Sequence, residues 1–200
     1  AAGEFYNYLQ VYPSGRWADE ALYWQAESLL KQGKREDSIS LYKRLLTDFP
    51  NSRFLEYALY SLGWLYLEKD DYINALAYLH KFELYFPNSS LLSKIQFMIA
   101  QALSGSGEFK EANKRLVSLL KTKAISDAYR EQSYFLLAEN SYRLDDLPNA
   151  YLNYLKIKED FPNSPYYQQS IYRIALITFK QDKWVEAIPY FNEIIRLNPA

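Results

Sequence analysis

The sequence has 200 residues, a formal net charge of −1 and 49% hydrophobic side chains, so it can bury a core and is not disordered. Its 23 basic and 24 acidic side chains nearly cancel, which removes the positive field that nucleic-acid binders use. With no cysteine and one histidine it cannot form disulfides, a thiolate nucleophile or a cysteine-containing zinc site. We expect no catalytic centre, no metal, no cofactor and no nucleic-acid partner, and no apolar run reaches the roughly 20 residues of a membrane span.

Regularly spaced prolines divide the chain into repeats. Pro13, Pro50 and Pro87 are 37 residues apart, Pro162 follows after 75 residues and Pro199 after 37 more. An aromatic residue precedes the first four of these prolines, and Phe-Pro-Asn-Ser occurs three times. Two columns of small residues repeat with the same step: Ala26, Gly63, Ala100, Ala138 and Ala175, and Ser38, Ala75, Ala112, Ala150 and Ala187. A fixed period of this length is typical of a solenoid.

In chain order, residues 1–13 are predicted to be the second helix of an incomplete repeat. Full repeats follow at 14–50, 51–87, 88–125, 126–162 and 163–199. Each contains two amphipathic stretches with apolar residues at i, i+3, i+4 and i+7, joined by a short polar turn, which predicts a helix hairpin. The third repeat carries one extra residue, and we place it in the loop at 121–126, where the expected proline is missing.

Glycine, aspartate and proline mark the predicted helix ends. We interpret Asp70-Asp71 and Asp145-Asp146 as helix N-caps in preference to metal ligands. Pro148 is predicted to lie in the first turn of its helix, where the missing N–H costs little. Pro189 falls inside the last helix, where we expect a kink. The small columns predict close helix contacts, at which a larger side chain would cost about 1 to 3 kcal/mol.

The repeats resemble the tetratricopeptide repeat (TPR) family, whose signature is W-x2-L-G-x2-Y, then A-x3-F, then P. The second repeat follows it with Leu in place of Trp and Phe, at Leu59, Leu62, Gly63, Tyr66, Ala75, Leu79 and Pro87. The resemblance implies an all-α, right-handed α-solenoid of five TPR helix hairpins preceded by a half repeat. The length of about 37 residues is similar to the bacterial envelope branch of the family, the outer-membrane assembly lipoprotein and Tol-Pal coordinator type. It implies a periplasmic or outer-membrane-associated protein, and a cytoplasmic adaptor is the alternative.

The resemblance also implies a partner-binding groove formed by the first helices of the hairpins. Transferred repeat by repeat, the groove positions are Tyr23, Glu27, Tyr57, Tyr60, Trp64, Leu67, Phe97, Gln101, Phe135, Glu139, Tyr142, Arg143, Tyr172, Leu176 and Phe179. Aromatic residues dominate the set, and they are enriched among interface hot spots. The opposing interpretation is that these rings pack only against each other. Some family members bind a C-terminal carboxylate with Lys and Asn at these positions, and that clamp is absent here.

The resulting hypothesis is a non-catalytic protein-protein interaction scaffold that binds an apolar protein or peptide segment, in bacterial envelope assembly or transport. One alternative is a self-assembly module with weak end-to-end contacts. Another is the regulatory array of a larger enzyme-containing protein. The half repeat at the start of the array and the uncapped apolar positions of its last helix predict that the sequence is a segment of a longer chain.

Overall fold

The computed structural model describes residues 2–122 and 125–197, and these form α-helices and connecting turns without strands. The predicted all-α class is therefore confirmed for the described residues. The eleven helices found there are α1 (Ala2–Val11), α2 (Ala18–Lys31), α3 (Arg35–Asp48), α4 (Leu55–Leu67), α5 (Tyr72–Tyr85), α6 (Leu92–Gly105), α7 (Phe109–Leu120), α8 (Asp127–Arg143), α9 (Leu147–Asp160), α10 (Tyr167–Lys180) and α11 (Trp184–Leu197).

The chain divides into two compact bodies, one ending at Ala102 and one starting at Leu103. In the first body, each of the helices α1 to α5 packs against the next one along the chain. In the second body, α7 to α11 do the same. Sequential packing of antiparallel helices is the arrangement that the hairpin repeats predicted. The repeat boundaries themselves stay a prediction.

The two columns of small residues are buried, as predicted. Ala26, Ala100, Ala138 and Ala175 are fully buried in the first column, and Ser38, Ala75, Ala112 and Ala150 in the second, with Ala187 1% exposed. Gly63 shows why the first column must be small. A Cβ added there would lie 2.4 Å from Cδ2 of Leu79, on the partner helix α5. The close approach of the two hairpin helices therefore depends on this glycine.

One residue in each of five hairpin turns adopts the left-handed backbone conformation. Its φ is +76° at Gly33 and +87° at Gly107, and 55°, 57° and 60° at Asp70, Asp145 and Asp182. These positions keep the period of the repeats, so aspartate replaces glycine in three equivalent turns. Asp70 and Asp145 are therefore the turn residues of their pairs and not the caps, because a short polar side chain also tolerates the left-handed region.

The second aspartate of each pair is an N-cap, as predicted. The Asp71 carboxylate accepts the backbone N–H of Asn74 at 3.2 Å, and Asp146 accepts that of Asn149 at 3.3 Å. Pro148 lies in the first turn of α9, also as predicted. Each cap satisfies one of the amide groups that have no partner inside the helix.

The Pro-Asn-Ser segments form the turns between repeats. Helices α3, α5 and α9 end before Pro50, Pro87 and Pro162, where proline cannot continue the helix. The serine that follows then accepts a backbone N–H two residues on, with Ser52 bonding to Phe54 at 3.1 Å and Ser164 to Tyr166 at 3.1 Å. Helix α11 runs through Pro189 from Trp184 to Leu197. Ala1, Pro199 and residues 123–124 of the predicted insertion loop lie outside the described residues.

Candidate ring-lined site

The predicted groove residues lie on α2, α4, α6, α8 and α10, which precede the turn of each hairpin. Five of them are exposed: Tyr57, Gln101, Arg143, Tyr172 and Phe179. Nine are partly buried: Tyr23, Glu27, Tyr60, Trp64, Leu67, Phe135, Glu139, Tyr142 and Leu176. Phe97 on α6 is only 5% exposed, so its ring is buried and is not offered to a partner as expected. A hydrophobic ring in that position stabilises the core.

In the first body, the rings around Tyr23 form a cluster, which we call the N-terminal ring cluster: Tyr23, Trp24, Glu27, Tyr42, Phe54 and Tyr57. The Tyr23 ring stacks on Phe54, with centroids 4.8 Å apart and an interplanar angle of 16°. The Trp24 ring meets the Tyr23 ring edge-on, with centroids 5.1 Å apart. Trp24 is 43% exposed and Tyr57 48% exposed, so part of the cluster faces solvent.

A carboxylate lies beneath these rings. The hydroxyl of fully buried Tyr42 donates a hydrogen bond to Oε1 of Glu27 at 2.5 Å. Burial, together with the negative charge of Glu27, raises the pKa of Tyr23 to about 12. Burial, together with the hydrogen bond to Glu27, raises the pKa of Tyr42 above its ordinary range. Both phenols therefore stay protonated beside Glu27.

The second body repeats this arrangement three repeats further along the chain. We call it the C-terminal ring cluster: Phe135, Glu139, Tyr154, Tyr166 and Arg173. Phe135 stacks on Tyr166 with centroids 4.3 Å apart and an angle of 19°. Fully buried Tyr154 donates its hydroxyl to Oε1 of Glu139 at 2.5 Å. The two clusters thus share a stacked pair of rings, a buried tyrosine and a carboxylate.

An arginine distinguishes the C-terminal ring cluster. Arg173 on α10 donates from Nε and Nη2 to the two carboxylate oxygens of Glu139, each at 3.0 Å. Its guanidinium also lies 4.6 Å from the centroid of the Tyr142 ring. This two-point pairing over an aromatic face is the geometry for which arginine is suited. Tyr142 in turn accepts a hydrogen bond from Nζ of Lys180 at 2.9 Å.

The remaining aromatic side chains of the predicted set differ in their surroundings. Tyr60 on α4 lies beneath Nζ of Lys94, 4.4 Å from the ring centroid. On α10, Tyr172 is 47% exposed and Phe179 is 53% exposed. Exposed rings of this size supply contact area to a partner with little loss of side-chain entropy.

Several residues of the two ring clusters were not predicted from the sequence: Tyr42, Phe54, Tyr154, Tyr166 and Arg173. A signal for four of them was present, because the aromatic pairs Tyr42 and Tyr154, and Phe54 and Tyr166, occupy equivalent repeat positions. Glu27 and Glu139 share that relation. Arg173 has no equivalent basic residue in the other repeats, so the period carries no signal for it.

Among the described residues, no three of the types His, Cys, Asp and Glu are grouped to hold a metal ion. None of the described helices has both the length and the apolar character needed to cross a bilayer.

Part of the chain matches a family model. The family model described as "Tetratricopeptide repeat" matches residues 20–52 and 57–89. Outer membrane protein assembly factor BamD of Pasteurella multocida (strain Pm70) is 23% identical over 159 residues, which is 80% of this chain and 54% of that protein. The chain therefore spans about half the length of this curated relative.

Solved structures share the fold. The crystal structure of MamA protein superposes with a TM-score of 0.74 at 18% identity, covering 89% of this chain and 90% of that one. The structure of YrrB, described as a TPR protein with an unusual peptide-binding site, superposes with a TM-score of 0.73 at 16% identity. It covers 100% of this chain and 94% of that one. These likenesses agree with the helix hairpins described above and establish the α-solenoid fold.

Proposed function

We propose that this chain is a non-catalytic scaffold of the tetratricopeptide repeat type, which binds a segment of a partner protein through aromatic side chains on the first helices of its hairpins. The repeat fold supports an interaction scaffold in general. The observation that carries the specific proposal is the exposure of large rings on these helices: Trp24, Tyr57, Tyr172 and Phe179 are each 43% to 53% exposed. Tyr172 and Phe179 are seven residues apart on one face of α10, and grouped exposed rings, unlike single ones, are typical of interaction sites.

The chemistry of the site favours a segment with apolar side chains. Rings offer flat, rigid contact area, and the hydroxyls of the tyrosines add hydrogen-bonding groups at the edge. No lysine or asparagine occupies the positions at which some relatives hold a terminal carboxylate, so the partner is recognised along its length. YrrB, which shares the fold, is described as having a peptide-binding site.

We place this activity in the bacterial envelope, in assembly or transport, at the periplasmic side or the outer membrane. Two features support the placement: the length of the repeat, and the 23% identity to a protein named as an outer membrane protein assembly factor. A cytoplasmic adaptor is the alternative placement.

A peptide-selection experiment tests both parts of the proposal. A display library tiled from outer-membrane and periplasmic proteins, mixed with an equal library from cytoplasmic proteins, is selected on the immobilised chain. The best peptide is then titrated against Tyr172→Ala/Phe179→Ala and against Tyr6→Ala, a control in which an equally exposed ring, 51% exposed, is removed from α1.

We expect the double variant to bind at least about tenfold more weakly, since hot-spot rings contribute about 2 kcal/mol or more each. The control should bind like the unaltered chain. Failure to enrich any peptide, or equal binding by all three proteins, would refute the scaffold. Enrichment of cytoplasmic peptides alone would refute the envelope placement and leave the scaffold intact.

Self-assembly is a second candidate, and the face of α11 favours it. Four apolar side chains there are largely exposed: Trp184 at 59%, Val185 at 80%, Ile188 at 54% and Ile195 at 67%. Contiguous apolar patches of this kind mark interfaces. Light scattering over a range of concentrations should show a rising mass that Val185→Glu/Ile188→Glu abolishes. A constant monomer mass would exclude this candidate.

A further inference from the structure

The two ring clusters differ in how the charge of their carboxylate is balanced. Arg173 bonds to both oxygens of Glu139 at 3.0 Å. Glu27 accepts the equivalent phenol hydrogen bond, from Tyr42, but no ion pair within residues 2–122 and 125–197 includes it. One of two matching sites therefore contains its cation, and the other does not.

The sequence shows where the missing cation would come from. Arg173 follows Glu139 by 34 residues, one repeat later on the neighbouring first helix. The residue at the same separation from Glu27 is Ser61 on α4, which is 7% exposed. The Ser61 hydroxyl acts to lower the pKa of Tyr42, against the dominant effect of burial, so it lies beside that phenol. Serine faces the cluster from the position of the arginine but carries no charge.

Aromatic side chains surround the carboxylate that has no ion pair. Trp24 and Tyr57, each more than two-fifths exposed, lie beside the Tyr23 ring, Trp24 edge-on with centroids 5.1 Å apart and Tyr57 tilted with centroids 6.1 Å apart. The C-terminal ring cluster has Leu136 and Gln169 at the two equivalent positions. The cluster that lacks an internal cation therefore has the larger aromatic surface, and the face of an aromatic ring attracts a cation.

We propose that the N-terminal ring cluster binds an arginine side chain of the partner segment, with its guanidinium on the Glu27 carboxylate and against the rings of Tyr23, Trp24 and Tyr57. The partner would supply in trans the group that Arg173 supplies internally to Glu139. Arginine fits better than lysine, because its planar fork matches both carboxylate oxygens and stacks on rings. This inference rests on the proposed scaffold function, of which it specifies the partner's chemistry.

The test uses two small probes of nearly the same shape, one with a charged guanidinium and one with a neutral urea group in its place. N-acetyl-arginine amide and its neutral analogue N-acetyl-citrulline amide are titrated into the isotope-labelled chain, and the amide and indole N–H resonances are followed by NMR. The Trp24 indole signal is assigned with Trp24→Phe. We expect saturable shifts at Trp24 and around Glu27 with the arginine probe. The citrulline probe should bind at least about tenfold more weakly, because its neutral group cannot make charge-assisted hydrogen bonds to the Glu27 carboxylate.

Two variants make the outcome specific. Glu27→Gln keeps an oxygen that accepts the Tyr42 hydroxyl but removes the charge, so the fold should be retained and the arginine-dependent shifts should vanish. Arg173→Met removes the internal cation of the C-terminal ring cluster and should create a second arginine-dependent set of shifts, near Glu139. Circular dichroism checks that each variant is folded.

Equal shifts with both probes, no shift at Trp24, or unchanged binding by Glu27→Gln would overturn the inference. Absence of a second site in folded Arg173→Met would also count against it, because that variant recreates the same carboxylate without its cation. These results are separable from a failure of the scaffold proposal. If a selected peptide binds through Tyr172 and Phe179 while the N-terminal ring cluster does not respond to arginine, the arginine site is refuted and the scaffold function is not.

Discussion

Replacement of Gly63 by alanine tests the packing that makes a helix hairpin. The added Cβ would lie 2.4 Å from Cδ2 and 2.7 Å from Cγ of Leu79, a side chain that is itself fully buried. Carbon atoms pack at about 3.5 to 4.0 Å, so α4 and α5 must move apart or Leu79 must leave its rotamer. Such overpacking costs about 1 to 3 kcal/mol.

Alanine also has an advantage over glycine inside a helix, which recovers up to about 1 kcal/mol. The clash involves both the branch point and a methyl group of Leu79, which is fully buried and has no free space to move into. We therefore expect the free energy of unfolding to fall by about 1 to 2 kcal/mol. For a cooperative body of about 100 residues this lowers Tm by roughly 4 to 16 °C. Thermal and urea unfolding followed by circular dichroism measure the loss.

The decisive control reverses the sign of the effect. In a Leu79→Ala background, which should itself lose about 2 to 5 kcal/mol by forming a cavity, the methyl group that Gly63→Ala adds enters empty space. There, Gly63→Ala should stabilise the protein. A double-mutant cycle isolates this coupling. If Gly63→Ala has the same sign in both backgrounds, or raises Tm in the unaltered chain, the steric argument is wrong.

Three further predictions concern protonation and the hairpin turns. The pKa of Tyr23, raised from 10.0 to about 12 by burial and Glu27, means that the native state holds this proton more tightly than the unfolded state. The stability that this proton contributes should be complete below about pH 10 and lost between about pH 10 and 12. Urea midpoints measured against pH should therefore fall less steeply in Tyr23→Phe than in the unaltered chain, and an equal fall of the two midpoints would contradict the prediction. Asp145→Gly should raise Tm, because φ is 57° there and glycine adopts that conformation without strain; a fall would mean that the aspartate side chain makes a stabilising contact. Asp146→Ala should lower the free energy of unfolding by about 1 kcal/mol through loss of the α9 cap, and an unchanged thermal melt would show that the cap contributes nothing.

The sequence sufficed for features in which one residue type has one physical role. Proline ends helices, so its period predicted the turns between hairpins. Small residues recur where helices cross, so Gly63 and the alanines of the first column were recognised. Both inferences use spacing alone, and spacing is preserved from one repeat to the next.

Features that depend on contacts between repeats were not predictable in the same way. Tyr42 meets Glu27 at a separation of 15 residues, and Arg173 meets Glu139 at 34. Whether such side chains meet depends on how one helix is rotated against the next, which the period does not specify. Which aspartate of each pair is the cap was open for a different reason: aspartate suits both an N-cap and a left-handed turn, so residue type alone does not decide between Asp70 and Asp71.

Comparison among the repeats of one chain separates residues that the fold requires from those that it tolerates. Glycine or alanine fills the first small column in all five repeats, because every hairpin needs the close approach. Arg173 has no basic counterpart at Trp24, Ser61, Met98 or Leu136, so stacking of the helices does not require a cation there. The N-terminal ring cluster nevertheless has the carboxylate of Glu27 and the buried phenol of Tyr42, the two groups that accompany the cation in the C-terminal ring cluster. A partly buried charge without an opposite charge beside it is costly. A cation brought by a binding partner would remove that cost. The unfavourable burial of Glu27 is therefore linked to the recognition of an arginine-bearing segment.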